Sequence, residues 1–491
     1  MNRKFNDQEL ARREKLQKLV QMGLNPYAIE KFERTHNSKS FKEQYNKFNK
    51  EELHKNKDVI TIAGRVLTLR QTFGTISDFY GTTQFYINKK TFDPNNFNIF
   101  KNLLDLGDII GIEGTPMKTN TGELTVKVKS FVILTKSLTP LPEKFHGLQD
   151  EEIRARKRYV DLIVNRDSLN VFVQRTKIIN ILREYLNKDG WLEVETPILS
   201  SILGGAAARP FITHHNVLDR DYYLRIATEL PLKRLIVGGF EKVYEIGHIF
   251  RNEGMDTTHN PEFTSIEAYQ AYGNLDDMMI LVENMFKHIA KEIGKTELTY
   301  KNVKINFVKP FKRISMVDFI KQETKIDFDK VETNKEAIKL AKEHHIELLP
   351  HQMTKGHIIN AFFEKYCEHK CQQPIFITGH PVDISPLAKK DPKDPTKTRR
   401  FELFICGKEF ANAFSELNDP IDQLERFKEQ IKEKNLGNDE ANEIDMDFVN
   451  ALEYGLPPTG GIGIGIDRLV MLFTNQESIR NVLLFPHMKD K

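Results

Sequence analysis

With 491 residues, 40% of them hydrophobic and 29% charged, the chain is long enough for two or three domains, and its composition excludes a disordered or fibrous protein. No run of about 18 apolar residues occurs and the start, M-N-R-K-F-N-D-Q-E-L, has no apolar signal core, so no membrane partner and a cytoplasmic location are expected. A net charge of +3 excludes a bulk nucleic-acid binder, although residues 1–60 concentrate 14 Lys/Arg against 9 Asp/Glu, a local +5 that leaves −2 for the remainder.

Residues 7–22 set Leu10, Leu16, Leu19 and Val20 among charges, which predicts a short amphipathic helix ended by Asn25-Pro26. This basic segment reads equally well as a solvated face or as an RNA contact. From Val59 to Leu134 short β-rich runs (I-T-I-A-G-R-V-L-T-L-R, G-T-T-Q-F-Y-I, D-I-I-G-I-E-G, E-L-T-V-K-V-K) alternate with Gly and Asn, and about five strands fit a small barrel. An oligonucleotide-binding barrel, an SH3-like barrel and a small sandwich all satisfy that pattern.

Leu169, Phe172, Val173, Ile179, Leu182 and Leu186 space a long helix over 168–188, and G-W-L-E-V-E-T-P-I-L then predicts an extended strand ending at Pro197. G-G-A-A-A-R-P-F at 204–211 is a small-residue loop, and Glu229 opens the next helical run. Residues 243–272 form two strands joined by a polar loop with Gly254, Asn260 and Pro261. Period 2 aligns Phe263, Ser265, Glu267 and Tyr269 on one face, with Arg251 at the loop-proximal end of the first strand. Taken alone, such a hairpin is most simply an ordinary salt-bridged one.

An insert at 274–370 is expected to be mostly amphipathic helix. Within it and just beyond, Cys367, Cys371 and Cys406 cannot make a disulfide framework; C-E-H-K-C has helical i, i+4 spacing, and buried thiols are expected. Strands return in R-R-F-E-L-F-I-C-G-K-E-F-A-N-A-F-S-E-L, where regular strand would put Asn412, Phe414 and Glu416 on one face and Glu409 on the other. G-L-P-P-T-G-G-I-G-I-G-I-D-R-L-V-M-L-F-T reads as a glycine-alternating strand entering a helix, with Arg468 in the first turn where a cation would face an anion.

F-R-N-E-G followed by H-N-P-E-F resembles motif 2 of the class II aminoacyl-tRNA synthetases; the helix, strand and proline at 168–197 resemble motif 1, and the glycine strand and helix at 455–475 resemble motif 3. The likeness runs in order over 58–489 and is greatest to the lysyl branch of that family. It implies an α+β fold, a class II antiparallel sheet flanked by helices and preceded by an N-terminal OB-fold β-barrel. The divisions implied are a basic helical extension (1–57), an anticodon-binding barrel (58–136), a linker (137–167) containing L-T-P-L-P-E-K-F-H-G-L-Q-D, and a catalytic domain (168–491). The activity implied is ATP-dependent ligation of L-lysine to tRNA(Lys) through lysyl-adenylate, in a homodimer paired through motif 1.

Carried over residue by residue, the resemblance puts the α-phosphate on Arg251 and the γ-phosphate on Arg468, the two catalytic cations, with Glu253, His259 and Phe263 around adenine and triphosphate. Gly205, Glu229, Glu267, Tyr269, Asn412, Phe414, Glu416 and Gly463 would surround lysine, and Glu409 and Glu416 would bind Mg2+, with up to about three ions per site. For both glutamates to face one site a bulge is expected after Gly407. In the barrel Phe73 would stack on an anticodon base while Gln84 and Glu123 read uridine edges, across a first hairpin shorter than the family's. Two further points depart from the family pattern: Thr228 stands where Pro is usual and Pro231 where an aromatic is usual. Glu229 and Glu267 suit an ε-ammonium, because carboxylates in a desolvated pocket need a cation between them. The alternatives are a related lysine ligase that modifies a protein, which would lack the barrel, and a non-catalytic RNA-binding homologue, which would have lost Arg251, Glu416 or Arg468.

Overall fold

The computed structural model describes residues 4–142, 148–438, 440–441 and 443–489. The chain divides into two units, 1–149 and 150–491. In the first, burial alternates along the first three strands, so a sheet with one apolar face closes on itself. The strands Ile60–Leu69, Phe73–Ser77, Thr82–Tyr86, Ile109–Lys118 and Leu124–Thr135 form a closed barrel in the order first, second, third, fifth, fourth. Only the third and fifth pair in parallel, Gln84 opposite Thr125.

Helices Asp7–Gln21, Ser38–Tyr45 and Lys50–Lys55 precede the barrel, each opened by an asparagine (Asn6, Asn37, Asn49) whose side chain accepts a first-turn N–H. Leu19, Phe41, Tyr45 and Leu53 join the barrel core. The apolar stripe expected on the first helix is narrower than its sequence suggests: Leu19 is buried, but Leu10 and Val20 are 46% and 48% exposed. Polar anchors take their place, with Arg12 donating to Ser137 O at 2.7 Å and Lys15 pairing with Asp105 at 2.6 Å.

The second unit is built on eight strands in the order Lys312–Ser315, Ile375–Thr378, Arg400–Ile405, Lys408–Ser415, Thr459–Gly465, Glu262–Ala271, Lys242–Phe250 and Leu192–Glu193. Neighbours are antiparallel except at the two edges, where the first pair and the last pair run parallel. Helices Arg166–Lys188, Leu275–Glu292 and Ile466–Thr474 cover one face, sharing a core with Ile266 and Ala268. Arg175 ties three of these elements together: its Nη1 lies 2.5 Å from Asp467 Oδ1 and its Nη2 donates to Thr264 Oγ1 at 3.0 Å, while Asp467 Oδ2 accepts Thr264 N–H at 2.8 Å.

Several expectations are corrected here. In the long helix Phe172, Ile178, Ile181, Leu182 and Leu186 are buried, whereas Val173 faces outward. The strand expected after it is only Leu192–Glu193, because the chain then bends toward Pro197 and contributes Leu199–Ser200 to a separate three-stranded sheet. The 274–370 segment is not simply helical: Glu297–Tyr300 and Val303–Asn306 form a hairpin, and Lys312–Ser315 joins the main sheet. Its first helix, Leu275–Glu292, belongs to the core, since Met278, Val282, Met285, Phe286 and Ile289 are fully buried. Cys367 ends the helix Lys355–Tyr366 and a 3-10 turn separates it from Cys371; both thiols are buried, and Cys406 is partly so. Residues 143–147, the centre of the expected linker motif, lie outside the described residues. Helices Glu151–Arg156 and Arg158–Val164 follow. No described helix is long and apolar enough to cross a membrane.

Because Asp467 is nearly buried and holds a cation, Asp467→Ala leaves Arg175 without its carboxylate and should lower the unfolding free energy of the second unit by about 3 kcal/mol, read from urea denaturation.

Candidate active site

The open face of the sheet carries the site, and strand register explains how. Opposite one another across neighbouring strands stand Glu267, Gly463, Asn412 and Glu402; the adjacent row is Tyr269, Gly461, Phe414 and Arg400. Period 2 on each strand thus converts three separate stretches of sequence into one surface. The missing side chain at position 461 opens a trough between Tyr269 and Phe414. An added Cβ there would lie 2.0 Å from Glu416 Oε1 and 2.5 Å from Tyr269 Cε1, so only glycine fits.

The trough is part of a cavity of about 510 Å³. Gly205, Glu229, Arg251, Glu253, His259, Phe263, Glu267, Tyr269, Glu409, Asn412, Phe414, Glu416, Gly463 and Arg468, every residue expected in the catalytic half, line it. The bulge expected after Gly407 is present at Phe410. Leu403 pairs with Ala411 but Phe404 with Glu409, so one extra residue shifts Glu409 onto the face of Asn412.

The cavity has two chemically different ends. At one, Glu229, Glu267, Tyr269 and Glu416 meet. Tyr269 donates its hydroxyl to Glu267 Oε2 at 3.0 Å, and Thr228 N–H donates to Oε1 at 3.1 Å. A proline at position 228 would remove that second donor. Burial, followed by the neighbouring charge of Glu229, pushes Glu267 up to about 7 against the opposing pull of Thr228, Tyr269 and Arg251. Burial likewise holds the Tyr269 phenol well above its ordinary value, so it stays a donor.

Lys233, which sequence reasoning missed, lies behind these carboxylates. It is fully buried, 2.5 Å from Glu229 Oε1 and in ion-pair contact with Glu416 Oε2, without the angle of a hydrogen bond to the latter. Burial alone would discharge it; Glu229 and Glu416 outweigh that and hold the ammonium charged. The signal available was E-L-P-L-K, a carboxylate and an amine at i, i+4 in a helix.

At the other end Arg251 and Arg468 converge. Arg251 Cζ sits 5.3 Å from the centre of the Phe263 ring, and its buried Nε has no hydrogen-bond partner among the described residues. Arg468 Nη1 donates to the Glu409 carbonyl at 2.7 Å. His259 pairs with Asp256 at 2.9 Å on the loop of the hairpin, and Glu253 follows Arg251 there. Burial first, and then the nearby Glu402 carboxylate, push Glu409 up. Glu402, which burial would also raise, is held down by His380 at 3.4 Å and Arg400 at 2.6 Å.

Both members of the expected metal pair, Glu409 and Glu416, line the cavity. Glu416 Oε2 is in ion-pair contact with Lys233 while its Oε1 has no hydrogen-bond partner among the described residues, and Glu402, paired with Arg400, lies beside Glu409 on the same face of the sheet. Carboxylates gathered in one cavity suit a divalent cation. No cluster of three or more His, Cys, Asp or Glu that could hold a metal occurs among the described residues.

In the barrel, Phe73 and Tyr86 stand opposite one another with ring centroids 4.7 Å apart, and Gln84 Oε1 accepts from Thr125 Oγ1 at 2.7 Å. Glu123 is exposed at the turn into the last strand. Phe73, Gln84 and Tyr86 share the outward face; Tyr86 was missed, though Q-F-Y places it two residues from Gln84.

An antiparallel sheet backed by helices, with an arginine-bearing hairpin and a glycine strand running into a second arginine, defines a class II tRNA synthetase. The family model described as tRNA synthetases class II (D, K and N) matches residues 150–489, and that of an OB-fold nucleic acid binding domain matches 60–134. Relatives named lysine–tRNA ligase include those of Malacoplasma penetrans, 61% identical over 491 residues, Mycoplasmoides gallisepticum, 56% over 493, and Staphylococcus epidermidis, 56% over 498, each covering 100% of both chains. The chain belongs to the lysine–tRNA ligase family of class II synthetases.

The Glu267 carboxyl gives a pH test. Folded, it keeps its proton to about 7, while unfolded it loses it near 4.5, so between those values the folded state binds more protons and stability falls as pH rises. Glu267→Gln should remove about 2 kcal/mol of that decline, less than complete burial would give because the carboxylate faces the open cavity; thermal or urea unfolding at pH 4.5 and 7.5 measures it.

Proposed function

We propose that the protein activates L-lysine with ATP, forming lysyl-adenylate and releasing pyrophosphate, and then transfers the lysyl group to tRNA(Lys) and releases AMP. The observation that carries this is the polarity of one cavity: buried carboxylates and a tyrosine at one end, two guanidiniums at the other. That spacing accepts a substrate with a cationic side chain whose reacting end meets a polyanion.

The lysine ε-ammonium lies among Glu229, Glu267 and Glu416, with Tyr269 beside it, because three donors there satisfy carboxylate oxygens that burial would otherwise leave uncompensated. Its aliphatic stem runs in the trough over Gly461, against Phe414. The backbone at Gly205 and Gly463, with Asn412, orients the α-amino acid end, where the absence of side chains permits close approach. Gly205 has φ +92°, a conformation that glycine adopts without strain. The lysine carboxylate oxygen attacks the α-phosphorus in line; the new P–O bond forms as the bond to pyrophosphate breaks, with no covalent enzyme intermediate. Arg251 takes the α-phosphate charge and Arg468 the γ-phosphate, while His259 reaches the triphosphate, Phe263 stacks on adenine and Glu253 lies near its edge. Glu409 and Glu416 would hold Mg2+, which when bound would supply neutralisation of phosphate charge. Positioning and electrostatics therefore account for the rate.

The barrel binds the anticodon, with Phe73 and Tyr86 as the stacking platform and Gln84 and Glu123 at base edges. Two copies pair through motif 1, the helix Arg166–Lys188 and the segment after it, where Leu192, Ile198 and Leu199 are exposed. The reaction takes place in the cytoplasm.

Arg251→Ala should lower lysine-dependent ATP–pyrophosphate exchange by at least about 10²-fold in a folded protein, the scale of losing one preorganised donor; unchanged exchange would remove Arg251 from the α-phosphate. Analogues test the other end. Ornithine, one methylene shorter, should lose about 10–200-fold in kcat/KM, whereas norleucine should fall well below it because a methyl leaves the carboxylates unpaired. Equal use of the two would place the ammonium elsewhere.

A further inference from the structure

Lys233 has no part in the roles just given, yet its surroundings are those of the substrate ammonium. It lies within the helix Glu229–Val237 with no solvent exposure, 5.3 Å from the Phe414 ring centre and 6.0 Å from that of Tyr269, two walls of the amino-acid trough. Its ion-pair partners are both cavity carboxylates: Glu229 Oε1, from one turn earlier on the same helix, and Glu416 Oε2, from the end of the central strand. A lysine serving only to close a structural ion pair needs one carboxylate, and one far from the site would do.

The oxygens it leaves free are informative. Glu416 Oε1 is buried, has no hydrogen-bond partner among the described residues, and lies against bare Gly461, where an added Cβ would come within 2.0 Å. A buried acceptor held without a partner at the floor of a binding cavity is a vacant place for a donor. Lys233 keeps it vacant by taking the other oxygen.

We propose that Lys233 is a positioning residue that sets specificity for the amino acid: one resident ammonium clamps one oxygen each of Glu229 and Glu416, and so presents their other oxygens to a second, incoming ammonium. This rests on the assignment of the trough to lysine. The resident cation also opposes the burial and the neighbouring charges that favour the protonated form of Glu416. The site is then ready for a chain whose amine reaches the free oxygens, and it penalises one ending in a methyl group. Lys233 touches no reacting atom, so its effect falls on amino-acid binding rather than on the chemical step.

Lys233→Met keeps the length of the side chain and removes the charge. Expected are a rise of about tenfold or more in the KM for lysine in ATP–pyrophosphate exchange, KM for ATP and kcat within about threefold of the unaltered protein, and a smaller advantage of ornithine over norleucine. A folded Lys233→Met protein with lysine KM and analogue ratio within twofold of the original overturns the proposal. Should that variant not fold, Lys233→Met/Glu416→Gln removes both buried charges of one pair and is compared with Glu416→Gln alone. Because Glu229 also loses its clamp, the double variant should have at least about a threefold higher lysine KM than the single one. Equal KM values overturn the proposal. If the unaltered protein shows no lysine-dependent exchange, the assignment of lysine itself has failed; if it does and the variants match their references, only the role of Lys233 has failed.

Discussion

Burying several carboxylates in one cavity is the constraint from which the rest of the catalytic unit follows. Glu229, Glu267 and Glu416 reach the same end of the trough from a helix, a hairpin strand and a central strand; after burial itself, Glu229 raises the cost of ionising Glu267, and Glu229 and Glu267 raise that of Glu416. The fold answers with Lys233 behind them, the Tyr269 hydroxyl and the Thr228 N–H on Glu267, and a deficit of positive charge that a cationic amino acid can fill. Selectivity of this kind comes from leaving a wrong substrate with unpaired charge rather than from matching its size.

The second half of the cavity is arranged by backbone rather than by charge alone. A bulge at Phe410 turns Glu409 to the face it would otherwise miss, and glycines at 461, 463 and 465 strip side chains from the strand that substrates must approach. Arg251 and Arg468 are then held at the loop end of the hairpin and in the first turn of the last helix, where the helix N-terminus adds favourable potential for an anion. The Arg175–Asp467–Thr264 cluster locks the long helix, the last helix and the hairpin strand together on the opposite side of the same sheet. Catalysis by positioning requires such rigidity, because small displacements of reacting groups cost large factors in rate.

Much of this was legible in the sequence for a definite reason. Strand alternation is local, so the face shared by Phe263, Glu267 and Tyr269, about five short strands over 59–134 and the glycine-alternating strand could be read directly, while the motif resemblance chose the barrel among its alternatives and brought the catalytic stretches into one cavity. What was illegible depended on non-local contact. The E-L-P-L-K spacing gave no sign that Lys233 would point inward, because an i, i+4 pair is far more often a solvated helix face. That Glu402 would stand beside Glu409 could not be read either, because the two strands meet there through a bulged register that pairs Phe404 with Glu409. The N-terminal helix misled because Leu10 and Val20 face outward, and Arg12 and Lys15 share its inward contacts with Leu19. In the 274–370 segment short strands were hidden by helix-like composition, and their pairing partners lie far along the chain.

The central claim, that a cavity polarised between carboxylates and guanidiniums selects lysine for adenylation, is tested most directly by ATP–pyrophosphate exchange with each standard amino acid in turn. The account predicts exchange with lysine at a kcat/KM at least about 10³-fold above that for any other, arginine, aspartate and asparagine included, since aspartate adds repulsion, asparagine leaves buried charge unmatched, and the planar guanidinium of arginine cannot take the place of a compact ammonium. Exchange supported equally by aspartate or asparagine, or by an uncharged amino acid of lysine's length, would contradict it.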